Sequence, residues 1–274
     1  MFKYQTSAIA AVLLLVGCGG SSTPDVPADT VTVETPSMPA AAPETAATRR
    51  AFFGDLHVHT ANSFDAYIFN VRASPDDAYH FAKGEAIQHG AGYDIQLAGP
   101  PLDFLAVTDH GEYLGVVPAM NDPDQALSQT QTARDIFGGE SEDPRVSFLQ
   151  VGYTVVSGEE IEEIYDRELI DTVWADTIAA AERHNQPGTF TAFSGYEFTS
   201  MRLVNAQNGA NLHRNVIFRG DAPARLFTTL DSTNPEDLWA WMDTERADGR
   251  DVLAIPHNSN ASNGQMFALA TYEG

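Results

Sequence analysis

Five short segments of this chain each carry a metal-ligand residue at or near one end. They are Phe53–Thr60, which contains His57 and His59, Phe104–His110, Phe193–Glu197, Leu212–Ile217 with His213 at its start, and Val252–Asn258 with His257 near its end. Most read as a buried apolar strand or strand tip that delivers His or Glu. With Asp65 they supply seven candidate ligands: His57, His59, Asp65, His110, Glu197, His213 and His257. Few folds gather such distant pieces, and a parallel α/β barrel does so by placing ligands at the C-terminal ends of its strands. On a strand, residues two apart share a face, so the His57 and His59 imidazoles point the same way. Mixed imidazole and carboxylate ligands suit zinc, manganese or iron.

The composition sets outer limits. The chain has 274 residues, 43% of them hydrophobic, and 15 Phe, enough for one large domain or barrel with a sizeable core. A formal net charge of −23 repels nucleic-acid backbones and argues against them as partners.

The N-terminus has the form of an export signal. Lys3 is followed by an apolar run from Ala8 to Val16, shorter than the roughly 20 residues a membrane span needs. Leu15-Val16-Gly17-Cys18 resembles the lipobox of bacterial lipoproteins, in which the Cys becomes the lipidated first residue. Cys18 is the only cysteine, which fits a consumed thiol and a fold without disulfides. An ordinary secretory signal with a chance Cys is the other reading. The expected organisation is a signal peptide over 1–18, an Ala/Pro/Thr-rich tether over 19–49, and a folded domain over 50–274. Gly19, in place of Asp, leans towards the outer membrane of a bacterial envelope, with membrane contact through Cys18 only.

Within the folded part, strands are expected over 51–59, 102–108, 189–197, 211–218 and 252–256. Helices are expected from Ser74-Pro75 to about Gln88, from about Leu169 to His184, and from Pro235. Strands alternating with helices predict a parallel sheet or α/β barrel. Residues 112–170 read as an acidic, irregular insertion: a lid, a substrate-binding element or disordered chain. The run Glu159–Glu163 reads as a solvated helix face, Lys83 as solvated, and Trp239 and Trp241 as helix packing. His80, His89 and His184 read as surface or packing residues.

Order and flanking residues resemble the polymerase-and-histidinol-phosphatase (PHP) superfamily of metal-dependent phosphoesterases. The matching pieces are His57-Val58-His59-Thr60 with Ser63 and Asp65, then Thr108-Asp109-His110, Gly195-Tyr196-Glu197, His213 and His257. Gly54–Thr60 and Thr108–Tyr113 look like a branch known mainly as a domain of unknown function. The resemblance covers about residues 51–262. It implies a distorted (β/α)7 TIM-like barrel binding two or three divalent metal ions, with Glu197 bridging two of them. It also implies hydrolysis of a small anionic phosphate ester by metal-activated water. Two departures stand out. The superfamily's closing Asp-x-His is not found after His257, which implies either a barrel incomplete at its C-terminus or one or two metals incompletely held. Glu197 also follows His110 by 87 positions, a gap the insertion accounts for.

Other roles follow from position. Asp109 is either an orienter of an imidazole or a general acid, with orientation favoured. Arg214 is a phosphate clamp or a structural ion pair. Asn258 is placed to hydrogen-bond substrate, and Glu112 and Tyr113 to line the mouth. Two further readings stay open: an amidohydrolase-like or sulfate-ester hydrolase, and a non-catalytic metal-binding envelope module.

Overall fold

The apolar runs of the sequence become one mixed sheet with helices packed on one of its faces. A computed structural model describes residues 50–138, 143–205 and 208–268. The expected signal segment 1–18, Cys18 and the tether 19–49 lie outside the described residues. No helix among the described residues is long and apolar enough to cross a membrane.

The chain runs β1 (Gly54–Val58), α1 (Phe64–Ile68), α2 (Pro75–Ala82), a two-stranded ribbon of β2 (Ile87–Gln88) and β3 (Asp94–Ile95), then β4 (Phe104–Val107). Next come α3 (Val116–Met120), α4 (Gln131–Phe137), α5 (Pro144–Ser157) and α6 (Arg167–His184). Then follow β5 (Thr191–Phe198), the hairpin β6 (Met201–Asn205) and β7 (Asn208–Asn211), β8 (Arg214–Arg219), α7 (Pro235–Ala247) and β9 (Asp251–Pro256). Local chemistry sets several boundaries. A capping box starts α2: Ser74 Oγ accepts from Asp77 N, and the Asp77 carboxylate accepts from Ser74 N at 2.8 Å. Gly84, at φ +84°, ends it and stops the helix short of the expected Gln88. Asp166 caps α6 by accepting from Leu169 N at 2.9 Å.

The sheet order is β1-β4-β5-β8-β9. β1, β4 and β5 are parallel, whereas β8 runs antiparallel to both β5 and β9. The all-parallel expectation is therefore corrected, and no closed barrel forms among the described residues. The reason lies at His213: a ligand at the start of a strand reaches the same end of the sheet as the others only if that strand runs backwards.

Side chains alternate across the strands. Tyr196, Phe198, Val216, Phe218 and Val252 pack on Trp174 of α6 and Leu238 and Met242 of α7, each largely buried. Each such side chain stabilises the fold by about 1.5–3 kcal/mol. α2 and α6 cover Leu105 and Val107. On the opposite sheet face, Leu253 is half exposed.

The sheet is strongly curled. Strands spaced by about 4.8 Å would put β1 and β9, four places apart, roughly 19 Å from each other if flat. Instead the rings of His57 and His257 lie 4.0 Å apart, centroid to centroid. Asn215 Nδ2 on β8 donates to Leu56 O on β1 at 2.8 Å.

The 112–170 insertion is neither irregular nor disordered where it is described. α3, α4 and α5 place Val116, Val117, Met120, Ile136, Val151 and Val155 in the main core. The Glu159–Glu163 run is not a helix face. Glu163 instead caps the start of α4, accepting from Gln131 N at 2.6 Å and from Thr132 N at 3.0 Å.

Candidate metal centre

All seven candidate ligands converge at one end of the curled sheet. Glu197 is the penultimate residue of β5 and is 1% exposed. An isolated parallel bridge aligns it with His110, and the Glu197 N–H donates to Asp109 O at 2.9 Å. Two residues earlier, Gly195 lets the strand approach its neighbours: a Cβ there would meet Thr108 and Val216 at 3.1 Å.

Four imidazoles surround the Glu197 carboxylate. His57 Nε2 and His59 Nε2 lie 3.2 and 2.7 Å from Oε2. His213 Nδ1 and His257 Nε2 lie 2.6 and 2.9 Å from Oε1. Asp65 holds the other side of His59, Oδ1 to Nδ1 at 3.1 Å, and its Oδ2 is 3.6 Å from His110 Nε2. Ser63 ties these together, donating to Asp65 Oδ1 at 2.6 Å and accepting from His110 N at 3.1 Å. Three groups have ligand atoms within 4.8 Å of one another: His57–His59–Glu197, His59–Asp65–His110 and His110–Glu197–His213.

The electrostatics are those of a crowded ligand set. Burial pulls the His59 imidazole down, but hydrogen bonds and charge from Asp65 and Glu197 outweigh it and lift its pKa to about 10. Burial pushes Asp65 up, yet its contacts with His110 and His59 hold it far below the usual carboxylate range. Glu197 behaves likewise: the charge of His110 and the hydrogen bonds of His213, His257 and His57 overcome desolvation. Burial lowers His213 despite its bond to Glu197. The ring atoms His213 Nε2 and His257 Nδ1 are also buried with no hydrogen-bond partner among the described residues. These His, Glu and Asp side chains could hold a metal ion.

The other expected site residues are placed differently. Asp109 accepts from both the backbone N and Oγ1 of Thr60, the latter at 2.7 Å, so it fixes the turn after His59 and does not touch an imidazole. Burial lifts its pKa to about 6. Glu112 does not line the mouth: it is fully buried between Thr199 and Thr229. Tyr113 is buried too, its hydroxyl accepting from Ile161 N at 2.8 Å. Arg214 is no clamp. Strand parity turns it away from His213, and its guanidinium lies 4.6 Å above the Trp239 ring and donates to Leu212 O. Asn258 follows His257 at the sheet's end, exposed and at φ 55°.

His184 is buried between Asp76 and Lys83, at 2.9 and 3.0 Å, so Lys83 is engaged and not merely solvated. Sequence reasoning missed Asn215 and Thr199. Each stands two positions after a ligand, His213 and Glu197, and that spacing was the available signal.

Fold and site together define an α/β protein with a histidine–carboxylate centre at one end of a curled sheet. The chain belongs to the family described as "Protein of unknown function (DUF3604)", whose profile matches residues 46–274. No curated protein and no solved structure matches it.

Proposed function

We propose that the protein is a metal-dependent hydrolase of phosphate esters, built on the barrel plan of the PHP superfamily and held at a bacterial envelope through Cys18. The observation that supports it is the arrangement of four imidazoles on the Glu197 carboxylate, with His59, Asp65 and His110 adjoining. His57 and Glu197 would hold one ion and Asp65 and His110 another, with His59 serving one of the two through its single lone pair and His213 and His257 closing the far side of Glu197. Bound divalent cations supply Lewis acidity, polarising phosphoryl oxygens and making water a nucleophile near neutral pH.

The chain's own residues prepare that chemistry. Glu197 keeps its charge at working pH, so both oxygens stay available to ligands. Ser63 fixes the Asp65 carboxylate between His59 and His110. Asp109 anchors Thr60 and so sets the turn that carries His59 towards Asp65. His57 is the most open ligand, its side chain 40% exposed, and marks the side on which substrate enters.

The test is turnover by the purified protein, with zinc or manganese supplied, of a panel of phosphate mono- and diesters beside sulfate esters and amides. Phosphoester cleavage that a chelator abolishes and added metal restores is the expected result. Turnover of only sulfate esters or amides moves the assignment to the corresponding hydrolase. Metal binding with no turnover identifies a binding module.

A further inference from the structure

We infer that Glu112 and Thr199 are positioning residues that fix the tautomer of His110, so that His110 presents Nε2 to the His59–Asp65 ion position and not Nδ1 to the Glu197–His213 position. This inference rests on the metal-centre reading above.

His110 belongs by proximity to two ligand groups, one with Asp65 and one with Glu197 and His213. Its Nε2 is 3.6 Å from Asp65 Oδ2, and its Nδ1 is 3.8 Å from Glu197 Oε2. A neutral imidazole has one nitrogen lone pair in its plane to give, so it serves one position. The choice is made behind the ring. Thr199 Oγ1 carries a single proton and donates it to Glu112 Oε2 at 2.6 Å. The Glu197 carbonyl, at 3.5 Å, is too distant to compete for it. Glu112 also accepts from Thr199 N and Thr229 N at 3.3 and 2.9 Å, so its carboxylate is held by three donors in a fully buried setting. With its proton committed, Thr199 Oγ1 faces His110 Nδ1, 2.5 Å away, as an acceptor. Nδ1 therefore carries the hydrogen and Nε2 keeps the lone pair. Phe64, stacked on the ring at 4.8 Å, hinders its rotation. Carboxylate–hydroxyl–imidazole chains of this kind orient ligands and strengthen their basicity.

The experiment is a long-range 1H–15N correlation spectrum of the full chain. It is recorded metal-free, at a pH above the imidazole's titration, and again with zinc. It is repeated for Thr199→Val, Glu112→Gln and the conservative Thr199→Ser, with zinc affinity measured in parallel. The expected result is a protonated His110 Nδ1 in both states and a zinc-induced shift confined to Nε2 of that ring. Thr199→Val should lower zinc affinity by about 10–100-fold and mix the tautomers, and Thr199→Ser should restore both. An unprotonated Nδ1, a zinc shift at Nδ1, or a Thr199→Val protein with wild-type affinity and tautomer overturns the inference. If zinc perturbs no imidazole at all, the metal-centre reading fails. The relay is then judged on the Nδ1 proton alone.

Discussion

Glu197 is the residue on which the centre turns. Replacing it by Gln keeps the shape, leaves one acceptor oxygen, and aims an amide donor at two of the four imidazoles. Glu197→Gln should cost more than about 100-fold in zinc affinity, read by calorimetry or elemental analysis. His59 gives a pH dependence whose sign is fixed. Its folded-state pKa is raised from 6.5 to about 10. In the metal-free protein its contribution to stability is therefore complete below pH 6.5 and is lost as pH rises through about 10. Zinc competes for the same nitrogen, so its affinity should climb across that window. Thermal melts with and without zinc check both trends. A zinc-induced rise in Tm that shrinks as pH increases would count against a His59 ligand.

At the scale of elements, the insertion is where propensity and structure part. α5 contains four valines, a Gly and a Tyr, poor helix formers in isolation. It holds because Asp143 caps it, Pro144 opens it, and Val151 and Val155 are buried. Tertiary burial of that kind leaves little local trace, so the acidic turns dominated the reading. By contrast, the ligand-bearing strands were legible, because apolar runs of strand length end in His or Glu whatever they pack against. The antiparallel β8 was half legible: His213 stood at the strand's start, but buried runs look alike in either direction. If the insertion is core, Ile164→Ala, at a fully buried position, should destabilise by about 2–5 kcal/mol in denaturant titration. Limited proteolysis of the native protein should leave α3 intact. Rapid cutting there, with the remaining domain still folded, would restore the lid reading.

For the whole molecule, the curl of the sheet decides whether there is a site. Asn215 links β8 to β1 across it, with Oδ1 buried and unpartnered among the described residues. Asn215→Ala removes that tie, and a stability loss of about 1–3 kcal/mol is expected. Zinc affinity should fall with it, because His57 and His59 ride on β1. Unchanged affinity in a destabilised variant would show that the ligands hold the two edges together without it. The curl also has a temporal side. A ribosome releases His57 and His59 some 200 residues ahead of His257. On the proposed envelope reading, the chain offers an ion only a partial grip until β9 has followed β1 out of the cytoplasm. On that reading folding and ion capture are a single late event, and starvation for the ion should appear as degradation of newly exported protein.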